Sequence, residues 1–142
     1  MKAAVCYSSS SGNTKAIAKA IGSAVSIPVY DIRKNERKDD SYDFLFIGGP
    51  IHIGNLDRHL RAFLETLTVD VVKEIIVFST AQKDDFARRL IDEIVSKKNI
   101  KVSSEAFFCQ GKFSPFKKNI PAEVDIKAAE AFAKRVLGKL FR

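Results

Sequence analysis

Hydroxyl and amide side chains are concentrated in one short segment near the start of the chain. The segment joins an apolar run to a stretch of helical spacing, so the free N–H groups of a helix N-terminus face into it. Its glycine allows a positive φ, and its hydroxyl and amide groups add hydrogen-bond donors. We therefore predict that this segment binds a phosphate group. Its residues are Ser8, Ser9, Ser10, Ser11, Gly12, Asn13 and Thr14.

The spacing within this segment differs from the two common nucleotide-binding motifs. The P-loop pattern GxxxxGK[ST] is missing, and Gly12 is the only glycine in the segment, so GxGxxG is missing too. A nucleoside triphosphate needs a lysine and a magnesium ligand, whereas neutral donors can hold a single terminal phosphate. Lys15, the only nearby cation, is expected to point outward. A serine-rich turn that only caps the following helix stays open as an alternative.

A second segment, residues 48–55, begins with two glycines and a proline, which set a tight backbone path. A plain turn between a strand and a helix is the alternative interpretation. His52 within it has a side chain able to move a proton near neutral pH. We favour a packing or solvent-facing role for His52, and we expect His59, in the next helix, at the surface.

Two later segments add further polar groups and aromatic side chains. Residues 79–82 supply short polar groups that suit hydrogen bonds to a ligand, or that cap the following helix. Residues 109–121 contain Phe113 and Phe116 among lysines, and these rings either cover a ligand or a partner or anchor the loop.

Apolar runs of strand length alternate along the chain with stretches of helical spacing. We predict strands at residues 2–7, 29–33, 42–47, 74–78 and 101–108, with 29–33 near a sheet edge, and helices at residues 13–25, 55–67, 84–95 and 123–140. This alternation predicts an α/β domain with a mainly parallel sheet covered on both faces. Ligands of such sheets bind beyond the carboxyl ends of the strands, where the polar segments described above lie.

The composition fits one domain spanning residues 1–142, large enough to bury its own core. No apolar run approaches the roughly 18 residues of a membrane span, and the N-terminus reads as a strand, so we expect a cytoplasmic protein. Cys6 and Cys109 are too few for a disulfide framework, and we expect free thiols. A structural role is favoured for both, and a redox role for Cys109 stays open. We expect no metal site.

The net charge of +7 indicates a solvated basic surface or acidic partners. Lysine and arginine are spread along the chain, and no RNA-binding motif with interleaved aromatics accompanies them. A nucleic-acid partner is therefore not favoured.

The stretch VCYSSSSGNTKAIAKAI resembles the opening motif of flavodoxins and related flavoproteins. Ser9, Ser11, Gly12 and Thr14 match the family pattern of Ser/Thr, any residue, Ser/Thr, glycine, any residue and Thr, and Asn13 fills the variable position. The resemblance implies a flavodoxin-like three-layer sandwich with a five-stranded parallel sheet in the order 2-1-3-4-5. It also implies that residues 8–14, Ser10 included, wrap the phosphate of FMN.

The stretch FLFIGGP with a later glycine is similar to the second flavin loop of the same family. The resemblance implies that the backbone follows the edge of the isoalloxazine ring and that a peptide near Gly54 hydrogen-bonds the flavin N5 edge. Residues 79–82 would contact the pyrimidine end of the ring. Besides residues 9–14, the implied FMN-binding residues are Pro50, Ile51, His52, Ile53, Gly54, Ser79, Thr80, Ala81 and Gln82.

The resemblance implies an FMN-binding redox protein, and two forms of it stay open. One is an electron carrier that docks with an acidic redox partner or reduces a small acceptor. The other is an FMN-dependent oxidoreductase of the protoporphyrinogen oxidase or quinone reductase type, because GGPIHIGNLDRHL faintly resembles the second loop of the former. The basic charge would suit an anionic acceptor or a membrane surface. A non-redox module that binds another phosphate ligand or nucleic acid is the alternative of a different class, and no catalytic residue is assigned.

Overall fold

Six parallel strands form the central sheet of the computed structural model, which describes residues 2–9, 12–34, 41–49, 51–52, 55–80, 86–109 and 123–140, without the side chains of residues 51, 52 and 140. These strands are β1 (Ala3–Tyr7), β2 (Val29–Asp31), β3 (Tyr42–Gly48), β6 (Val72–Ser79), β7 (Lys101–Val102) and β8 (Phe107–Phe108). A separate antiparallel pair is formed by β4 (Ile51–His52) and β5 (Asn55–Leu56).

The strand order is β2-β1-β3-β6-β7, and β8 also pairs with β6. The predicted order 2-1-3-4-5 is confirmed, with β6 as the fourth predicted strand and β7 together with β8 as the fifth. As expected from its mixed composition, β2 lies at an edge of the sheet.

Two layers of helices cover the sheet, as the three-layer prediction requires. The helices are α1 (Asn13–Val25), α2 (Arg58–Thr66), α3 (Phe86–Val95) and α4 (Glu123–Leu140). On one face, Ile17 of α1 and Phe132 of α4 pack with Phe46 of the sheet. On the other face, Leu60 of α2 and Ile91 of α3 pack with Leu45. Among the described helices, none is both long and apolar enough to cross a membrane.

The central strands β3 and β6 are buried on both faces, which explains their continuous apolar sequences. Leu45 and Ile75 face α2 and α3, whereas Phe46 and Ile76 face α1 and α4. All four side chains are fully buried, and each such burial contributes about 1.5–3 kcal/mol. This core fixes the carboxyl ends of the strands, and therefore the loops that follow them.

The fifth predicted strand, residues 101–108, is interrupted. After β7, the Ser103 N–H still donates to Ile75 O at 2.8 Å, but the Ser103 hydroxyl then accepts from the Glu105 N–H at 3.1 Å. Local hydrogen bonds of this kind compete with the sheet ladder. The chain leaves the ladder here and pairs with β6 again at β8.

The predicted bounds of α1 are confirmed. The described part of α4 is helical throughout the predicted range, and the residues on either side of it lie outside the described residues. The second helix was predicted at residues 55–67, but it begins at Arg58 because Asn55 and Leu56 pair with β4. The third was predicted at residues 84–95, and α3 is described from Phe86, because residues 84 and 85 lie outside the described residues.

Candidate functional site

The serine-rich segment after β1 enters α1 through Gly12, whose φ is +90°. Gly12 is the N-cap residue of α1, and no side chain caps the helix there. The Gly12 N–H donates to the Ser9 hydroxyl at 3.0 Å, which turns the segment back on itself. Among the described residues, the first N–H groups of α1 are therefore not satisfied by a capping side chain, unlike those of a turn that only caps a helix. Such N–H groups attract an anion.

The predicted residues of this segment are placed only in part. Asn13 is half-buried and begins α1, and Lys15 is exposed, as expected. Ser10 and Ser11 lie outside the described residues, so their role stays a prediction. No cation was expected to belong to this segment, yet the structure brings Arg33 to its first residue, Ser8.

A buried contact joins the first segment to the loop after β6. The hydroxyl oxygens of Thr14 and Thr80 lie 3.1 Å apart, and both side chains are almost fully buried. Ser79, the last residue of β6, is also buried, and its carbonyl accepts from the Cys109 N–H at 3.0 Å. The structure thus brings together two of the predicted segments. Ala81 and Gln82 lie outside the described residues.

The second predicted loop starts at two glycines that are packed closely. A Cβ atom on Gly48 would lie 2.3 Å from the Phe78 ring, and a Cβ on Gly49 would lie 2.9 Å from the Leu60 side chain. A larger residue at Gly48 would clash with the Phe78 ring, and one at Gly49 would require the Leu60 side chain to shift, so both positions favour glycine. The Gly48 carbonyl accepts from the Ser8 N–H at 3.0 Å, which fixes the start of the loop beside the first segment.

Beyond these glycines, the second loop is described in its backbone only at β4, and then from Asn55 onward. β4 and β5 pair antiparallel, with Ile51 opposite Leu56 and His52 opposite Asn55. The side chains of Ile51 and His52 lie outside the described set, as do Pro50, Ile53 and Gly54 altogether. The implied ring contacts of these five residues stay predictions.

A buried carboxylate closes the far end of the second loop. Asp57 is the N-cap of α2, and its Oδ2 accepts from the backbone N–H groups of His59 and Leu60, both at 3.2 Å. The same oxygen accepts from the Ser8 hydroxyl at 2.6 Å. Arg33 donates through Nε to the Ser8 hydroxyl at 3.0 Å and through Nη2 to Asp57 Oδ1 at 3.2 Å. The side chain of Asp57 is only 6% exposed.

The environment of Asp57 keeps this carboxylate charged. Desolvation by burial raises its pKa, but the hydrogen bonds from Ser8 and Leu60 and the charge of Arg33 outweigh that effect, and the pKa lies below its usual value. His59 was expected at the surface and is half-exposed, but its Nδ1 faces inward, 3.7 Å from Asp57 Oδ2. The expectation for His59 was therefore only partly right.

Sequence reasoning missed Ser8, Arg33 and Asp57 as a group. Asp57 carried a usable signal, because aspartate is a preferred N-cap and the helical spacing continues after it. Arg33 carried none, since the end of an edge strand does not specify which loop its side chain reaches. Ser8 was grouped with the phosphate segment, whereas its hydroxyl faces Asp57 instead.

Both cysteines are buried, and neither forms a disulfide within the described residues. Burial, with a smaller effect of the Asp125 carboxylate, raises the pKa of the Cys109 thiol to about 12. Because the thiolate is the reactive form, this environment favours the structural role over the redox role. Within the described residues, no cluster of His, Cys, Asp and Glu could hold a metal ion.

Comparison with known proteins agrees with this fold. A family model described as a flavodoxin domain matches residues 4–135. An uncharacterised protein of Methanocaldococcus jannaschii is 32% identical over 151 aligned residues, which cover 96% of this chain and 99% of the relative. The chain belongs to the flavodoxin domain family.

Solved structures share the same fold. Oxidised flavodoxin 1 from Bacillus cereus superposes with a TM-score of 0.72 at 17% identity, covering 97% of this chain and 98% of that one. Fusobacterium nucleatum flavodoxin, solved bound to flavin mononucleotide, superposes with a TM-score of 0.61 at 15% identity, covering 98% and 99% of the two chains.

Proposed function

We propose that residues 1–142 form one FMN-binding domain that carries electrons between redox partners. The observation that carries this proposal is the N-terminus of α1, where left-handed Gly12 provides no capping side chain. A phosphate monoester fits such donors, because they are neutral and already directed along the helix axis. Family membership and the FMN-bound relative support the choice of FMN over other phosphate compounds.

The residues that would hold FMN fall into three groups along the carboxyl edge of the sheet. Ser9, Gly12, Asn13 and Thr14, with Ser10 and Ser11, would bind the phosphate. The second loop, residues 48–55, would border the ring, with Pro50, Ile51, His52, Ile53 and Gly54 as its contacts. Ser79 and Thr80, with Ala81 and Gln82, would bind the pyrimidine end. When bound, FMN supplies the electron and hydride chemistry, and the chain supplies binding and orientation.

The redox partner that fits this chain is acidic. The chain carries a net charge of +7, and opposite charge on a partner speeds encounter and is screened by salt. The rate of reduction by a cognate partner should therefore fall as ionic strength rises. We also propose a cytoplasmic location, which fits two buried cysteines that form no disulfide within the described residues.

A double substitution in the phosphate segment tests the FMN site. Thr14→Val with Ser11→Ala removes two hydroxyl groups and leaves the sheet intact. It should weaken FMN binding by about 3–6 kcal/mol, because donors to a charged group contribute on the order of 1.5–3 kcal/mol each. Circular dichroism checks the fold and fluorescence titration checks the affinity. Unchanged FMN affinity would mean that the phosphate binds elsewhere.

Reoxidation kinetics separate a carrier from an enzyme. The bound FMN is reduced, and its reoxidation by oxygen, by a quinone and by acceptor proteins is followed by absorbance. A carrier is reoxidised fastest by a protein acceptor. Fast turnover with a small acceptor alone would favour an oxidoreductase, and nucleic-acid affinity that falls steeply with salt, without FMN binding, would favour a non-redox module.

A further inference from the structure

Ser8 holds both ends of the second loop. Its N–H donates to the carbonyl of Gly48, where the loop starts, at 3.0 Å. Its hydroxyl donates to Asp57, where the loop ends, at 2.6 Å. The antiparallel ribbon of β4 and β5 lies between the two residues that Ser8 contacts in this way. One residue of the first segment therefore defines the base of the second loop.

The link between Ser8 and Asp57 is buried and charged, so it is costly to disturb. Ser8 is fully buried and Asp57 is nearly so. A carboxylate removed from water needs hydrogen-bond partners for its oxygens. Losing one partner leaves a buried charge that is poorly compensated. Arg33 supplies the balancing charge and also donates to the Ser8 hydroxyl. Ser8, Arg33 and Asp57 thus have one favoured arrangement, in which each side chain is hydrogen-bonded to the other two.

A cap on α2 would not need this arrangement. An N-cap side chain has only to accept from the first N–H groups of its own helix, and such residues usually do so in contact with water. Asp57 accepts from His59 and Leu60 in this way, but it also accepts from residues 49 and 24 positions earlier in the sequence. These two long-range contacts hold the loop rather than the helix.

We propose that Ser8, Arg33 and Asp57 are positioning residues that set the second loop, with its β4–β5 ribbon, against the ring of the bound flavin. This inference rests on the proposed FMN site. The group acts on the ring end of the ligand and not on its phosphate, because the N–H groups at the start of α1 do not depend on Asp57. Breaking the contacts among these three residues would let the β4–β5 ribbon move relative to the sheet. The flavin ring would then lose its contact with the ribbon.

Three ligands separate the two ends of the site: FMN, riboflavin, which lacks the phosphate, and inorganic phosphate, which lacks the ring. Ser8→Ala should raise the dissociation constants of FMN and riboflavin by about the same factor, roughly tenfold, which corresponds to about 1.4 kcal/mol. In the same variant, the inhibition constant of inorganic phosphate, measured by competition with FMN, should change by less than about twofold. The visible circular dichroism of bound FMN should change as well, because that signal reports the surroundings of the ring.

Two further variants make the test robust. Asp57→Asn keeps an acceptor for Ser8 and a cap for α2 but removes the charge that Arg33 balances, so it should weaken FMN and riboflavin by a smaller factor, about threefold. Ser103→Ala is the matched control, because it also removes the hydroxyl of a buried serine. The Ser103 hydroxyl accepts from the Glu105 N–H, and neither residue belongs to the proposed flavin-binding segments. It should lower the melting temperature and leave all three affinities unchanged.

The outcomes separate this inference from the function on which it rests. Wild-type protein that binds no FMN would overturn both. Wild-type protein that binds FMN, with Ser8→Ala and Asp57→Asn binding it equally well, would overturn only the positioning role. An equal loss of affinity for FMN and inorganic phosphate would also overturn it, because the group would then shape the phosphate segment. Loss of FMN affinity in Ser103→Ala would mean that the losses in Ser8→Ala and Asp57→Asn follow from lower overall stability, and this too would overturn the positioning role.

Discussion

Thr14 and Thr80 are 66 positions apart in the sequence, and their hydroxyl oxygens lie 3.1 Å apart in the structure. The contact is buried and joins the segment after β1 to the loop after β6. Each hydroxyl is therefore the partner that the other needs inside the protein. Parallel strands end at the same edge of a sheet, so loops from distant parts of the chain meet there.

Thr80→Val should destabilise the ligand-free protein by about 1–2 kcal/mol, because it leaves the buried Thr14 hydroxyl without this partner. The same change should weaken FMN binding about tenfold, since Thr14 is then free to turn away. Urea unfolding measures the first effect, and fluorescence titration measures the second.

Thr66→Val is the matched control for that substitution. Thr66 is exposed at the end of α2, and its hydroxyl donates to the Phe63 carbonyl. We expect its free energy of unfolding to change by less than about 0.5 kcal/mol and its FMN affinity to stay the same. Equal losses in the two variants would contradict a specific role for the Thr14–Thr80 contact.

Gly12 and Gly138 should respond to alanine with opposite signs. A Cβ at either position would meet nothing within 4 Å, so space does not decide the result. Gly12 has φ +90°, where alanine costs about 1–2 kcal/mol. Gly138 lies within α4, where alanine should stabilise by about 0.5–1 kcal/mol. Urea unfolding of both variants checks the pair, and a Gly12→Ala protein as stable as the wild type would contradict the left-handed N-cap.

Acid should selectively remove the contribution of Asp57 to stability. Its pKa is lowered in the folded protein, so its contribution is fully present above the unfolded value of about 3.9. That contribution is lost as the pH falls from there through the lower folded pKa. The difference in unfolding free energy between wild type and Asp57→Asn should therefore shrink as the pH falls below about 5. A difference that stays constant as the pH falls would mean that Asp57 has the same pKa in the folded and in the unfolded protein.

Lys98 should stabilise the C-terminus of α2. Its ammonium group donates to the carbonyls of Leu64, Glu65 and Leu67, the last at 2.9 Å. The Leu64 carbonyl also accepts from the Leu67 N–H. Because the last carbonyls of a helix have few other partners, Lys98→Met should cost about 1–2 kcal/mol. Its exposed neighbour Lys97 is the control, and Lys97→Met should cost less than about 0.5 kcal/mol. FMN affinity should be unchanged in both, since this end of α2 is opposite Asp57.

The fold was predictable because buried positions are apolar and recur in the sequence with the spacing of a helix or a strand. β3 and β6 are buried on both faces and read as continuous apolar runs, and α1 repeats its buried residues at helical spacing. The interruption after β7 was not predictable in the same way, because a single hydroxyl, that of Ser103, decides it. The two-residue strands β4 and β5 are too short to have a period at all.

The candidate site could be predicted from the sequence only where one continuous segment contains its residues. Gly12 and Thr14 belong to such a segment, and its motif could be read directly. The group of Ser8, Arg33 and Asp57 draws one residue from each of three segments, and nothing in their sequence spacing brings them together. The strand order was predicted, but it does not specify where each of these side chains points, and the structure supplies that information.

Titration of the purified wild-type protein with FMN tests the central claim most directly. A single saturable site that quenches the fluorescence of FMN and turns the protein yellow after gel filtration is the expected result. Inorganic phosphate should compete for that site, because the N–H groups at the start of α1 would bind the phosphate of FMN. Protein that stays colourless, with FMN fluorescence unchanged at saturating concentrations, would contradict the account.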